Sequence, residues 1–361
     1  MRLGEVFGGS SRRTTSGRSG EKMTATKKDS NPGLIEKIRS WYNSWFKKHE
    51  EHFDSEAITR PVPSGRCVSS DLFFKPGATI QGRYDSYEVL NLISDTALSE
   101  VYKGMSKVHG EEIAIKAYLG NYSKCFERER YVHKLLDSRG GHGNIIPAHE
   151  FVVMEDDRRL GIFPYVAGEN LGEIVEREGK LTPQQVLPLV SSLCDALEHI
   201  HRLDIVHRDI KPANIMISAE ENIRKEMLEF RPEAMVLRLF DFGTSWHKNI
   251  MHLDEPGSAY GTPYYMAPET LEGEPPHKVG DLYAAGIIIY QSLAGCAPFR
   301  GSTSTEVFLQ HLRTPVPDIT LYNDKVSKDV KQVIEKALAK DPEKRYQTAG
   351  ELKRDYIAVV K

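Results

Sequence analysis

The segment Ile205–Met216, I-V-H-R-D-I-K-P-A-N-I-M, constrains this chain more than any other. It places an acid, a cation and an amide at short fixed spacing on what we expect to be a tight loop. Asp209 can accept a proton from a hydroxyl group, Lys211 can neutralise a phosphoryl oxygen, and Asn214 can ligate Mg²⁺. Phosphoryl transfer needs mainly positioning and charge neutralisation from a protein, so the pattern favours that chemistry.

The rest of the composition is ordinary. The 361 residues leave room for one large or two ordinary domains, and 40% are hydrophobic and 27% charged, as in soluble globular proteins. A net charge of −3 gives no general attraction to nucleic acid. The four cysteines lie far apart and the N-terminus lacks the apolar stretch of a signal peptide. Together these features predict a soluble, cytoplasmic protein.

The N-terminal region differs in composition from the remainder. Residues 1–33 are rich in Ser, Thr, Gly, Arg and Lys, which predicts a disordered basic segment. Apolar residues then recur at three- and four-residue steps over residues 34–53, which predicts an amphipathic helix. Such a helix either binds a membrane surface or a partner helix, or packs on the rest of the protein. Residues 54–79 contain several prolines and are predicted to be a linker.

Two further segments extend the pattern of the first loop. Asp241-Phe242-Gly243 follows a strand-like run, and residues 261–269 read G-T-P-Y-Y-M-A-P-E. With the loop H-R-D-I-K-P-A-N, they resemble the catalytic loop, metal-binding segment and activation-segment end of the eukaryotic-type (Hanks-type) Ser/Thr protein kinases. The resemblance covers roughly Tyr84 to Ile357, and G-R-Y at 82–84 is similar to the entry of bacterial members.

The resemblance implies an α+β, bilobal protein kinase fold. We expect a small antiparallel β-sheet N-lobe with one helix at 80–163, a hinge at 164–168, and a larger, mainly helical C-lobe at 169–361. The uncharged run Leu282–Phe299 would then be a buried core helix and not a membrane span. The charged insert 218–235 would be a surface loop.

The same resemblance assigns roles to individual residues, with ATP and Mg²⁺ as the expected ligands and a protein Ser or Thr hydroxyl as the acceptor. Phe163 would guard the nucleotide pocket, Asp281 would bind the catalytic-loop backbone, and Glu269 would pair with Arg345. The catalytic residues would be Asp209, Lys211, Asn214 and Thr262; the metal ligands would be Asn214 and Asp241; and ATP would contact Lys116, Glu129, Ile93, Ser94, Val101, Ala114, Val166 and Met216.

Lys116 lies in the apolar run Ile113–Lys116, where an unpaired charge would be costly. The family pairs this lysine with a glutamate on the following helix. Glu129 is the expected partner and Glu127 the alternative, since either could also be a surface charge.

The chain departs from the family in the loop that covers the ATP phosphates. Ser94, Thr96 and Ser99 stand where the family has glycines, which let backbone N–H groups approach phosphate. We expect a raised KM for ATP with the chemistry retained. A smaller departure is His133, four residues after Glu129, where the family usually has a hydrophobic residue.

Regulation is predicted from the activation segment. Arg208 is the residue that in this family binds an activation-segment phosphate, and Ser258 lies where that phosphate is usually added. We expect autophosphorylation at Ser258, with Thr244 and Ser245 as alternatives. The main hypothesis is therefore an active Ser/Thr protein kinase. Two alternatives stay open: a pseudokinase acting as a binding module, because of the missing glycines, and a small-molecule kinase on the same fold.

Overall fold

The computed structural model of the protein describes residues 72–96, 98–120, 122–219, 235–254 and 260–360. Several sequence predictions lie outside the described residues and stay predictions: the basic segment 1–33, the helix 34–53, most of the linker 54–79, most of the insert 218–235 and the acceptor Ser258.

An antiparallel sheet forms the smaller lobe, with strand order β1-β2-β3-β4-β6-β5. Its strands are β1 (Thr79–Gln81), β2 (Ser86–Asp95), β3 (Ser99–Ser106), β4 (Glu112–Tyr118), β5 (Glu150–Val153) and β6 (Arg159–Pro164). Side chains along β3 and β4 alternate between buried and partly exposed, as the two-residue period of a strand dictates. The buried positions form one apolar cluster that includes Val89, Ile113, Ile115, Leu160 and Ile162.

Helix α1 (Ser123–Asp137) packs against this sheet. The ring of Phe126 meets Tyr118 on β4 at 5.3 Å and Phe151 on β5 at 5.6 Å, both edge to face. Burying a phenylalanine side chain stabilises by about 2 kcal/mol, so these contacts fix how the helix is rotated. Glu129 lies three residues further on the same helix face, and it is thereby turned toward the sheet.

Residues just ahead of β1 pack against the sheet. Phe74 is buried, its N–H donates to the Tyr102 hydroxyl at 3.1 Å, and the Arg158 guanidinium lies 4.7 Å from its ring centre. Arg158 also donates to the carbonyl of Phe73 at 3.1 Å. The packed sheet therefore includes residues ahead of residue 80, where the sequence predicts that the kinase domain starts.

The larger lobe is mainly helical. Its helices are α2 (Leu171–Glu178), α3 (Pro183–Arg202), α4 (Pro268–Leu271), α5 (Lys278–Ala294), α6 (Ser304–Arg313), α7 (Lys328–Ala337) and α8 (Ala349–Val360). Helix α3 begins with a capping box, in which the side chains of Thr182 and Gln185 each accept the other's backbone N–H. Pro183 occupies the first helical turn, where its missing N–H costs nothing.

Helix α5 forms the centre of this lobe. Its residues Leu282, Ile287 and Ile288 are completely buried, in agreement with the core position expected for the run Leu282–Phe299. Among the described helices, none is both long enough and apolar enough to cross a membrane.

A small antiparallel sheet brings two parts of the predicted site together. It consists of β7 (Glu169–Asn170), β8 (Ile215–Ala219) and β9 (Met235–Leu239). Asn214 precedes β8 and Asp241 follows β9, and the Phe240 N–H donates to the Asn214 carbonyl at 3.1 Å. The pairing of the two strands thus fixes Asn214 beside Asp241. This is the two-lobed α+β architecture that the sequence predicts.

Candidate active site

The predicted catalytic loop is held by the buried carboxylate of Asp281 on α5. The Asp281 oxygens accept the backbone N–H groups of His207 at 2.9 Å and Arg208 at 3.0 Å, and His201 Nε2 lies 2.9 Å away. Burial alone would raise the pKa of Asp281, but the hydrogen bond and charge of His201 outweigh it and lower the pKa. Arg208 has a φ of 69°, which a non-glycine residue seldom adopts, so these bonds hold a strained loop.

Three predicted catalytic residues converge on the carboxylate of the fourth, Asp209. Thr262 Oγ1 donates to Asp209 Oδ1 at 2.7 Å, and Lys211 Nζ lies 2.9 Å from Thr262 Oγ1 and 2.7 Å from Asp209 Oδ2. Asn214 Nδ2 donates to the Asp209 carbonyl at 2.9 Å and to Oδ2 at 3.0 Å. The carboxylate is thus fixed in position by contacts from two segments of the chain.

A glycine lets the activation segment approach this loop closely. Gly261 has a φ of 119°, and a Cβ there would lie only 2.3 Å from the carbonyl oxygen of Arg208. A side chain would therefore push Thr262 away from the loop. The far end of the segment is anchored by Glu269, whose two oxygens pair with Arg345 at 2.6 Å each. Such a bidentate, buried pair fixes both position and orientation.

At the junction of the lobes, Lys116 Nζ lies 2.8 Å from Glu129 Oε2 and 2.7 Å from Asp241 Oδ1. Glu127, the alternative partner, pairs instead with Arg130 on the outer side of α1. Burial alone would lower the pKa of Lys116 and raise that of Asp241, but their mutual attraction outweighs it. The pKa of Lys116 is therefore raised and that of Asp241 lowered well below its ordinary value, so both are charged at neutral pH.

His133 occupies the position where the family usually has a hydrophobic residue. Its ring centre lies 5.5 Å from that of Phe163 and 5.4 Å from that of Phe242, and Phe242 lies 4.8 Å from His207. Burial, assisted by the charge of Lys116, lowers the pKa of His133 to about 3. The imidazole is therefore neutral at pH 7 and packs as an aromatic ring that connects α1 to the catalytic loop.

Four of the residues predicted to contact ATP share one face of the sheet. Ser94, Val101 and Lys116 lie directly opposite one another on successive strands, and Ala114 is two residues from Lys116. Opposed residues point to the same face of a sheet, so these side chains all face the lobe that carries Asp241. Of the other residues predicted to touch the nucleotide, Glu129 is buried on α1, whereas Ile93 on β2, Val166 just after β6 and Met216 on β8 are at least partly exposed.

The turn between β2 and β3 is closed by the hydroxyl of Thr96. Its Oγ1 lies 3.3 Å from the Leu98 N–H and 3.1 Å from the Ser99 N–H, and both groups donate to it. The Thr96 N–H donates in turn to the Ser99 carbonyl at 3.0 Å. In a phosphate-covering loop, such backbone N–H groups are the anion donors. Here two of them already have an acceptor within the turn.

Sequence reasoning missed several residues that contact the site. Tyr118 donates its hydroxyl to Glu129 Oε2 at 2.6 Å, and buried Arg128 pairs with Asp254 at 2.9 Å. Tyr260 lies beside the same arginine, with the guanidinium carbon 4.5 Å from its ring centre. None of these residues belongs to a recognisable motif. The only available signal was the charged residue Arg128 next to Glu129. Helical periodicity does not predict that its side chain is buried.

The residues present fit Mg²⁺. Because Asn214 Nδ2 donates to Asp209, the amide oxygen of Asn214 remains available for a metal. Asp241 supplies an ionised carboxylate that is partly exposed toward the cleft. An amide oxygen and a carboxylate are hard oxygen ligands, which Mg²⁺ prefers, with its other positions left for water and phosphate oxygens.

Two lobes with a set of paired charges at their junction define a class of protein. The chain belongs to the protein kinase family, because the family model described as protein kinase domain matches residues 87–357. This match confirms the bilobal fold and the kinase resemblance predicted from the sequence motifs.

Bacterial Ser/Thr kinases are among the curated proteins similar to this chain. The chain is 31% identical to serine/threonine-protein kinase PrkC of Bacillus subtilis over 285 residues, which is 77% of this chain and 41% of that protein. It is 31% identical to serine/threonine-protein kinase PknB of Mycobacterium leprae over 288 residues, 76% of this chain and 43% of that protein. The matched region thus spans less than half the length of these relatives.

Proposed function

We propose that this chain is an active Ser/Thr protein kinase that transfers the γ-phosphoryl group of ATP to hydroxyls of protein substrates. The observation that carries the proposal is the group formed by Asp209, Lys211 and Thr262, whose polar atoms lie within 2.7–2.9 Å of one another. The carboxylate would accept the proton of the attacking hydroxyl, and the ammonium group would neutralise the charge that develops on the phosphoryl oxygens. Thr262 would orient the acceptor hydroxyl.

The nucleotide would bind between the lobes. Lys116, held by Glu129, would contact the phosphates of ATP, while Asn214 and Asp241 would ligate Mg²⁺. The metal supplies charge neutralisation between the phosphates when it is bound. The nucleotide would contact Ser94, Val101 and Ala114 on the sheet face described above, together with Ile93 on β2 and Met216 on β8, and the backbone of Val166 would lie at the edge of the adenine.

Autophosphorylation of the activation segment is part of the proposal. Ser258 remains the preferred acceptor, because it lies close in sequence to the Gly261–Thr262 pair that approaches the catalytic loop. Ser245 is a poor acceptor, since it is completely buried. The hydroxyl of the partly buried Thr244 donates to the carbonyl of His207 at 3.4 Å.

The second candidate function is a pseudokinase that binds partners without transferring phosphate. The closed turn at Thr96 favours it, because the N–H groups of Leu98 and Ser99 already have an acceptor. The intact set Lys116, Asp209 and Asp241 speaks for the kinase instead.

The deciding experiment compares the purified full chain with Asp209→Asn in a phosphate-transfer assay. Each protein receives γ-labelled ATP at millimolar concentration with Mg²⁺ and a generic basic protein as acceptor. We expect incorporation by the wild type and its loss in the variant, by about 10³-fold, since a general base contributes about 10²–10⁴-fold. Mapping the labelled residue of the chain tests Ser258.

A matched control is Asp204→Asn, because Asp204 lies five residues before Asp209, is half-exposed, and pairs with Lys278 at 2.7 Å on the surface. This variant should label like the wild type. Negligible incorporation by folded wild-type protein would reject the kinase in favour of the pseudokinase.

The remaining parts of the proposal concern partners and location. The substrate would be a protein with a Ser or Thr acceptor, and no nucleic acid is expected. The wide spacing of the cysteines supports a cytoplasmic location. A membrane or partner-helix contact through residues 34–53 stays a prediction; liposome sedimentation of the full chain tests it, and absence of binding to anionic vesicles would exclude the membrane contact.

A further inference from the structure

One carboxylate joins two buried arginines beside the catalytic centre. Asp254 Oδ1 lies 2.9 Å from Arg128 Nη2 on α1, and Asp254 Oδ2 lies 2.5 Å from Arg208 Nη2 on the catalytic loop. Arg128 also donates to the carbonyl of Leu253 at 2.7 Å. Both guanidinium groups lie against the ring of Tyr260, at 4.5 and 5.1 Å from its centre.

The two buried arginines of this cluster need a negative charge between them, and Asp254 supplies it. The side chain of Arg128 is 1% exposed and that of Arg208 is 7% exposed, so two cations are withdrawn from water close to each other. Like charges buried together repel unless an anion lies between them. Among the described residues, Asp254 is the acidic side chain that pairs with both of them.

The place of each arginine in the sequence gives the cluster its significance. Arg128 directly precedes Glu129, which holds Lys116, and Arg208 directly precedes Asp209. The carboxylate of Asp254 therefore connects the residue before Glu129 with the residue before Asp209. Glu129 and Asp209 must be placed accurately relative to each other. Arg208 is also strained, with a φ of 69°, so its side-chain partner helps to hold the loop.

We propose that Asp254 is a positioning residue that holds α1 and the catalytic loop in the active arrangement, and that it does so in place of an activation-segment phosphate. This inference rests on the proposed kinase function. In the resembling family, Arg208 is the residue that receives such a phosphate. Here an aspartate of the chain itself already occupies that arginine and links it to α1, so the activity should not depend on phosphorylation of Ser258 or of any other residue.

The consequence is tested first on the wild-type full chain. The protein is treated with a Ser/Thr phosphatase, shown by intact mass to carry no phosphate, and assayed at early times before it can relabel itself. We expect its initial rate to stay within about twofold of that of the untreated protein. A loss of about tenfold or more, restored on relabelling, would overturn the proposal.

Two substitutions then separate charge from shape. Asp254→Asn keeps the size and removes the charge, and it should lower kcat about tenfold or more in the phosphate-free protein. Asp254→Glu keeps the charge and should retain kcat within about threefold. Asp157→Asn is the matched control, since Asp157 pairs with Arg159 on the exposed side of the small lobe. Wild-type kcat in Asp254→Asn would overturn the proposal.

A measurement that needs no catalysis distinguishes this proposal from the proposed function. Amide hydrogen exchange of residues 123–137 should be faster in Asp254→Asn than in the wild type and unchanged in Asp157→Asn. Inactive wild-type protein with this pattern would refute the kinase and retain Asp254 as the link. Unchanged exchange in Asp254→Asn would refute the link whatever the activity. If Asp254→Asn does not fold, the rate after phosphatase treatment and the kcat of Asp254→Glu decide whether the proposal stands.

Discussion

Two loops of the molecule, the β2–β3 turn and the catalytic loop, satisfy their backbone hydrogen bonds in opposite ways. In the turn, the Thr96 hydroxyl accepts N–H groups two and three residues away, so the donors are consumed locally. In the catalytic loop, the backbone is held by Asp281, more than 70 residues away, and Asp209 is held by Thr262, 53 residues away. Long-range support leaves the reactive groups pointing into the cleft.

This difference separates nucleotide affinity from chemistry. The small lobe departs from the family at Thr96 and at His133, whereas the large lobe keeps its acid, its metal ligands and its Glu269–Arg345 anchor. We therefore expect substitutions at the departures to change ATP binding or stability modestly. Substitutions at the charged residues where the two lobes meet should abolish phosphoryl transfer.

The largest effect is expected at Lys116, where the two regions meet. Lys116→Met removes the cation that holds both Glu129 and Asp241. Loss of one preorganised electrostatic group typically costs about 10²–10³-fold in rate, and we expect kcat/KM to fall by about that factor. The measurement is initial rate against ATP concentration with a basic protein acceptor.

Lys103→Met serves as the control, because Lys103 lies on the neighbouring strand and pairs with the exposed Glu112. It should leave kcat/KM within about twofold. A Lys116→Met variant as active as Lys103→Met would refute the assigned role of Lys116.

The next effect is a pH dependence of stability at His133. Its pKa is lowered to about 3 in the folded state, against about 6.5 when unfolded. The folded state therefore binds fewer protons below pH 6.5, and stability falls as the pH drops from there toward 3. Between pH 7 and pH 5 this one group should cost about 2 kcal/mol. His133→Leu places an apolar side chain without a titratable group at this position, so it removes this pH dependence of stability.

The measurement is the free energy of unfolding in urea at pH 7 and pH 5 for wild type and His133→Leu. The difference between the two proteins should grow by about 2 kcal/mol on acidification. His109→Gln, on an exposed turn, should show no such growth. Parallel pH curves for wild type and His133→Leu would mean that the imidazole is not held neutral in the core.

The smallest effect is expected at the turn itself. Thr96→Ala removes the hydroxyl and frees the N–H groups of Leu98 and Ser99 to bind phosphate. One hydrogen bond is worth about 1 kcal/mol, so the KM for ATP should fall about fivefold with kcat within about twofold.

Thr96→Ser keeps the hydroxyl and should keep the wild-type KM, and Thr96→Gly should resemble Thr96→Ala if the hydroxyl matters more than chain flexibility. A decrease in KM with glycine alone would assign the effect to flexibility. Equal KM values for all four proteins would show that the closed turn does not limit ATP binding.

The sequence by itself determined the residues whose chemistry requires fixed neighbours. The spacing within H-R-D-I-K-P-A-N, the D-F-G triplet and the segment ending A-P-E predicted the family, the two-lobed fold and the set around Asp209. Local spacing suffices for Asp209, Lys211 and Asn214, which lie on one loop, whereas the roles of Asp241 and Thr262 on other segments came from the resemblance to the family.

Only the tertiary structure revealed the contacts between distant segments that belong to no motif. Arg128 and Asp254 are 126 residues apart and belong to no motif, yet one carboxylate links them to Arg208. The packing of Phe74, ahead of β1, against Tyr102 and Arg158 was likewise visible only in the fold. Charge and burial depend on what the fold brings near each side chain, and neither periodicity nor spacing specifies that.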